Sequence, residues 1–367
     1  MKIVILGNMG YVGPLVTERL RASYPEAIIT GYDTGFFASC LTHVEYLPER
    51  KLDQQYFGDI RNLPDSLFQG TDAVINLAAI SNDPMGTRFE KATLDVNYVA
   101  GIRAAKRAKA LGVKSFVFAS SCSIYGAATG KAKAEDSNVN PLTAYARSKV
   151  YSERDLRPLA DKNFTITCLR FGTACGMSSR LRLDLVLNDF VACALSSGQI
   201  TMLSDGTPWR PVIDVKDMAL AIDWAIGRLP SMGAFLAINT GSEACNYQVK
   251  QLAEAVASVI PDVKVTVNSE APADKRSYLV DFDLYRILAP HHQPQCDLLT
   301  TIENLKDGLE SMDFHDPGFR DSKWMRLNVL TELQRKGLLN ESLEWNFNLQ
   351  NNKPLSLPGE KQELRTH

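Results

Sequence analysis

Lys2-Ile-Val-Ile-Leu6, running directly into Gly7-Asn-Met-Gly10-Tyr-Val-Gly13, is the stretch that decides how this chain folds. Ile3 to Leu6 is a short apolar, β-branched run of the kind that forms a buried strand. The glycines then give a tight turn, and a helix is expected from about Val12 to Ser23. Such a turn brings a pyrophosphate close to the free N–H groups at the start of a helix. Gly7, Gly10, Tyr11, Val12 and Gly13 are therefore candidate phosphate-facing residues. Their spacing is G-x-x-G-x-x-G rather than the commoner G-x-G-x-x-G, so the weight rests on what surrounds them.

Asp33 closes the second expected strand, Ile28 to Tyr32, 20 residues after Gly13. An acidic side chain there accepts both hydroxyls of a ribose and repels a 2′-phosphate, which favours NAD over NADP. Thr34 follows it at the same strand end. Asp59-Ile60, after a further segment, is a candidate for the adenine edge.

Strand-like and helix-like stretches continue to alternate. Ala73 to Ala78, Phe116 to Ala119 and Thr165 to Leu169 have strand composition, and Ala92 to Leu111 has helical composition and ends at Gly112. This is the pattern of an α/β protein with a Rossmann-type, doubly wound parallel sheet. Continuously apolar strands such as Ala73-Val-Ile75 suit a sheet covered on both faces. After Gly176 the pattern loosens, and Phe235 to Ile238 looks like a strand that returns to the main sheet. The expected division is residues 1–176 plus about 212–243 as the NAD-binding domain. A smaller α/β substrate lobe would take about 177–211 plus 244–345, with 351–367 as a mobile tail.

Bulk properties narrow the classes. The 367 residues carry a net charge of −2, with 45% hydrophobic and 22% charged residues. That balance excludes a general nucleic-acid binder, which carries a basic surplus. No apolar run approaches the roughly 20 residues needed to cross a bilayer. The chain enters a strand at once, without a signal-peptide pattern. Seven cysteines lie scattered with no C-x-x-C pair, as expected of reduced thiols in a cytoplasmic protein. Neither cysteine nor histidine has zinc-ligand spacing, so no metal is expected.

Tyr145-Ala-Arg-Ser-Lys149 opens another expected helix. At i, i+4 the ammonium shares a face with the phenol and is expected to lower its pKa toward neutrality. The phenol would then take a proton from a sugar hydroxyl as hydride leaves the same carbon. Upstream, Phe118-Ala-Ser-Ser-Cys-Ser-Ile-Tyr-Gly126 ends a strand with hydroxyls at the carboxyl edge of the sheet, where ligands bind. Ser121 is placed to hydrogen-bond the same oxygen as Tyr145.

With these residues in place, the sequence resembles the extended short-chain dehydrogenase/reductase family, specifically its NAD-dependent nucleotide-sugar epimerases and dehydratases. The likeness covers roughly residues 1–290. It includes the glycine turn, Asp33, Asp59-Ile60, Asn76-Leu-Ala-Ala79, Asn97, the Ser-Ser-x-x-x-Tyr-Gly run, Tyr-x-x-x-Lys and Leu169-Arg-Phe171. The resemblance implies Ser121 as the catalytic hydroxyl, Tyr145 as the base and Lys149 as a ligand of the nicotinamide ribose. It puts Leu77, Ala78, Ala79, Ala119 and Phe171 along the cofactor, with Asn97 in support. It also implies a 4-keto intermediate, a UDP-glucose 4-epimerase-like reaction and a homodimer through Asn97 to Leu111 and Thr143 to Leu159. In that dimer Ala100, Ala104, Ala105 and Ala108 would allow close helix contact, though a monomeric core uses alanine too.

Departures qualify the substrate. An Asn that touches substrate in the family is Thr173 here. The Asp-Glu pair of hexose dehydratases is replaced by Cys122-Ser123, which favours an epimerase. Cys122 has two readings: an acid for a departing C6 hydroxyl in an atypical dehydratase, or a small buried filler. Three basic stretches suit a pyrophosphate, Ser179-Arg-Leu-Arg-Leu-Asp184, Trp209-Arg210 and Lys275-Arg276. The resemblance assigns the nucleotide diphosphate to Arg210 and Arg276, helped by Asn188. Ser81, in the Ser81-Asn-Asp-Pro-Met-Gly86 loop, is expected beside the sugar. Other possibilities are a dehydrogenase that releases NADH and a non-catalytic cofactor-binding regulator.

Overall fold

The computed structural model describes residues 1–346 except 43, 129, 203 and 269–275. The expected tail at 351–367 and Lys275 lie outside the described residues. Twelve strands are named in chain order: β1 Lys2–Leu6, β2 Ile28–Asp33, β3 Gln54–Phe57, β4 Ala73–Asn76, β5 Ser115–Ser121, β6 Thr165–Phe171, β7 Thr173–Cys175, β8 Gln199–Met202, β9 Trp209–Asp214, β10 Phe235–Thr240, β11 Asn246–Gln248 and β12 Lys264–Val267.

Seven of them form the main sheet in the order β10-β6-β5-β4-β1-β2-β3, and every pairing is parallel. Alternate side chains divide between two apolar clusters. Ile3, Ile5, Ile75, Val117 and Leu169 face one, and Val4, Leu6, Val74, Phe116 and Cys168 face the other. Both faces are thus covered, as the unbroken apolar strands require. The expected α/β doubly wound sheet is present, and β10 does rejoin it. β3 carries no such signal. It is a polar edge strand, largely exposed.

A further group of elements comprises β7-β9-β11, the β8-β12 pair and helices Val186–Ser197, Val249–Val259 and Leu298–Glu310. It shares a core with one face of the sheet, since Leu187, Phe190, Leu252 and Ile302 belong to the same cluster as Ile3. Residues beyond 326 depart from the expected division. Leu330, Leu339 and Leu343 bury their side chains with Val4, Leu6 and Tyr32 on the opposite face of the main sheet. The helical stretch that ends before Gly112 spans Glu90–Leu94, a π-helical turn at Asp95–Ala100, and Gly101–Ala110. Ala100, Ala104, Ala105 and Ala108 are fully buried in the chain's own core. Of the two readings of those alanines, this is the monomeric-core one.

Candidate active site

At the carboxyl ends of the strands lies a cavity of about 640 Å³. Its floor is the glycine turn. Gly7 has φ +84, and a Cβ there would stand 2.5 Å from the Ala78 nitrogen. A Cβ on Gly13 would stand 1.9 Å from the Asn8 carbonyl oxygen, so this glycine lets the helix press on the turn. A Cβ on Gly10 would meet only the Gly7 carbonyl oxygen, at 3.5 Å, leaving the backbone open toward the cavity. No side chain caps the start of helix Gly13–Ser23, so its free N–H groups remain available to an anion.

Asp33 accepts the Met9 N–H at 2.9 Å and the Gly35 N–H at 2.8 Å. Burial nevertheless raises its carboxyl above the ordinary range. Two backbone donors leave acceptor capacity on a carboxylate that lines the cavity, as a ribose diol requires. Tyr11, Val12, Thr34, Asp59, Ile60, Leu77, Ala78, Ala79, Ala119 and Phe171 also line it. Asp59 is committed to Arg61, which forks onto it at 2.6–3.0 Å. Asn97 is buried behind the wall: it accepts the Ile80 N–H at 2.8 Å and donates to the Ile80 carbonyl at 3.0 Å. The turn after β4 is held by that clamp. These residues fit a dinucleotide in both shape and donor set.

The catalytic candidates converge at the other end. Thr143 caps helix Ala144–Leu156 by accepting the Ala146 N–H at 3.1 Å, which brings Tyr145 and Lys149 into the cavity one turn apart. Ser121 ends β5, accepts the Ser123 N–H at 3.1 Å and lines the cavity with Tyr145. The expected effect of the lysine on the phenol is not seen. Burial pushes Tyr145 up to about 12, opposed by the Ser121 hydrogen bond and the Arg182 guanidinium. Lys149 donates to the Ala119 carbonyl, and its Nζ lies 5.3 Å from the centre of the Tyr145 ring.

Two candidates face away from the cavity. Cys122 is fully buried, and its thiol donates to the Arg170 carbonyl at 3.1 Å. Burial holds it well above the ordinary thiol range. The geometry fits the filler reading and gives the acid reading no path to a substrate. Asn188 is fully buried too. It donates to the Tyr11 hydroxyl at 2.9 Å and the Arg182 carbonyl at 3.0 Å, and accepts the Gly176 N–H at 3.1 Å. It braces the wall and has no capacity left for a diphosphate.

Ser81, Thr173, Arg210 and Arg276 do line the cavity. Arg210 donates to the Arg276 carbonyl, and Arg276 is paired with Asp83. The Ser179-Arg-Leu-Arg-Leu-Asp184 stretch, read from the sequence as a basic site for a pyrophosphate, places Arg182 and Asp184 beside Ser81, a pairing the sequence reading did not anticipate. Arg182 forks onto Asp184 at 2.5 and 2.9 Å and donates to Ser81 Oγ at 2.8 Å. Asn82 donates to the same carboxylate at 2.8 Å. The Arg-x-Asp spacing was the available signal, since in an extended chain these two side chains share one face.

The profile of the NAD dependent epimerase/dehydratase family matches residues 3–241. UDP-glucose 4-epimerase of Lactobacillus helveticus is 24% identical over 331 residues, which is 82% of this chain and 96% of that protein. Among solved structures, MoeE5 in complex with UDP-glucuronic acid and NAD superposes with a TM-score of 0.73 at 21% identity, over 85% of this chain and 99% of that one. TunA, an NAD dependent NDP-hexosamine 5,6-dehydratase, gives 0.72 at 22% identity, over 86% and 99%. Among the described residues, no helix is long and apolar enough to cross a membrane.

Proposed function

The chain belongs to the NAD dependent epimerase/dehydratase family, and on that premise we propose that it is a UDP-sugar 4-epimerase. NAD, when bound, supplies a hydride acceptor and a positive charge beside the phenol. Tyr145 takes the proton of the sugar C4 hydroxyl while Ser121 holds that oxygen, and the C4 hydride departs from the same carbon. The 4-keto sugar turns within the cavity, and Tyr145 returns the proton as hydride reaches the opposite face. Lys149 binds the nicotinamide ribose. Arg210 and Arg276 hold the diphosphate, Arg276 exchanging Asp83 for phosphate oxygens. Ser81 and Thr173 contact the sugar.

The observation that carries this reading is that Ser121, Tyr145 and Lys149 share one cavity, floored by the glycine turn and Asp33. The epimerase named among the relatives gives it further support. A dehydratase needs an acid for the departing hydroxyl. The thiol that stood in for the missing carboxylates is turned into the core.

Incubation with UDP-glucose, UDP-galactose, UDP-N-acetylglucosamine and UDP-glucuronic acid, followed by mass spectrometry and NMR, tests the proposal. A product of unchanged mass and inverted C4 supports it. Loss of water from the sugar, or accumulation of NADH, replaces it with a dehydratase or a dehydrogenase.

A further inference from the structure

Beyond the family match, the C-terminal segment packs behind Thr34, Phe36 and Arg61, which line one end of the cavity. After helix Arg326–Arg335 the chain runs back along the β2–β3 edge, with Leu339 and Leu343 buried beside Tyr32 and Ile60. Leu343 takes φ 55, a left-handed conformation rare for a branched residue. Its carbonyl, with that of Ser342, accepts Arg61 at 3.0 and 2.7 Å. The Trp345 indole N–H donates to the Thr34 carbonyl at 2.8 Å, one residue past Asp33.

Two aromatic rings of the β2 loop, Phe36 and Phe37, face the cavity. Each is backed by one C-terminal side chain. Trp345 packs on Phe36 with ring centres 5.6 Å apart. The Arg326 guanidinium lies 5.1 Å from the centre of the Phe37 ring and donates to the Arg180 and Leu181 carbonyls at 2.7 and 3.0 Å.

We propose that residues 338–346 are part of the dinucleotide site, with Trp345 as a positioning residue that holds the Thr34–Phe37 loop against the adenosine half of NAD and slows its release. The inference rests on the proposed use of this cavity for NAD. In sheets of this kind the ribose hydroxyls meet the acidic residue that ends β2, so the loop after Asp33 is where adenosine lies. Loops of this sort are mobile unless tied down. Trp345 and Arg61 tie this one and its neighbouring turn through three hydrogen bonds and a ring contact, so less ordering is left for the cofactor to impose. A cofactor that is reduced and reoxidised in place gains from slow release.

The test compares the full-length parent with Trp345→Ala and Trp345→Phe. Three quantities are read: the NAD retained through purification, the ADP-ribose affinity by calorimetry, and the UDP affinity as a probe of the opposite end. Trp345→Ala is expected to retain less NAD and to bind ADP-ribose about tenfold more weakly, with UDP affinity at the parent value. Trp345→Phe, which keeps a ring on Phe36 but loses the bond to Thr34, is expected to fall between. Parent-like ADP-ribose binding in Trp345→Ala overturns the inference, and so does a parallel loss of ADP-ribose and UDP binding. A parent that binds UDP but neither NAD nor ADP-ribose removes the NAD reading itself, and this inference with it.

Discussion

Lys149 and Ala119 are joined by a hydrogen bond of 2.6 Å from the ammonium to the backbone carbonyl. The bond fixes a cation at the end of β5, between the rings of Phe118 at 4.7 Å and Tyr145 at 5.3 Å. Burial lowers Lys149 from 10.5 to about 8. Between those values the unfolded chain binds a proton that the folded chain does not, so folding gains stability as pH rises through the window. Below about pH 8 the cost of the buried cation is present in full, on the order of 3 kcal/mol. Lys149→Met is therefore expected to compare best with the parent at neutral pH and to lose that relative advantage toward pH 10.5. Denaturant unfolding of both proteins across the range measures it. A pH-independent difference contradicts the assignment.

Tyr145→Phe is expected to lower turnover by about 10²–10⁴-fold while NAD retention persists. Ser121→Ala, which removes a hydrogen bond that favours the phenolate, is expected to cost less. Arg182 pulls the phenol in the same direction. Arg182→Gln should displace the ascending limb of kcat/KM, on which the phenol loses its proton, to higher pH, as read from rate profiles of the two proteins. Profiles that coincide leave Arg182 with a purely structural part.

Cys122→Ala separates the two readings of that residue in solution. Because the thiol touches the Arg170 carbonyl and not the cavity, turnover is expected to stay within about twofold of the parent. Stability should fall by about 1 kcal/mol, as for a small buried truncation. A collapse of turnover with normal folding returns the thiol to the reaction.

Beneath the site, Arg170 and Glu153 form a buried ion pair at 2.7 Å, and Ser120 donates to the same carboxylate at 2.5 Å. Arg170 also reaches the Tyr125 hydroxyl at 3.0 Å. Glu153→Ala leaves a buried cation without its counter-charge and is expected to cost about 3–5 kcal/mol of unfolding free energy. Thermal or denaturant unfolding reads this directly, and a cost below about 1 kcal/mol contradicts the account of the network.

The main sheet was legible because its buried strands have an unmistakable apolar pattern and its glycine turn has a mechanical reason to be there. The positions of Asp33, Tyr145 and Lys149 followed from strand ends and one helical turn. What stayed hidden depends on direction and distance. Whether Cys122, the residue after β5 ends at Ser121, looks into the cavity or the core is set by the turn that follows the strand. Asn188 has the chemistry of a ligand, and only the nearby Tyr11, Gly176 and Arg182 show that its amide is already used. The expected pKa of Tyr145 was wrong in sign because burial raises the phenol, and what opposes burial is Ser121 and Arg182 rather than the lysine. Trp345 and Thr34 lie 311 residues apart, and no local pattern announces their contact. β3 was missed because an exposed edge strand built from Gln54, Gln55, Tyr56 and Phe57 carries no apolar alternation.

The central claim is that one hydride leaves the sugar and comes back without leaving the protein. Turnover of a UDP-hexose carrying deuterium at C4 measures it. The account predicts an epimer inverted at C4 that keeps the label on that carbon, with no NADH in solution. Label lost to solvent, or label recovered in free NADH, contradicts it.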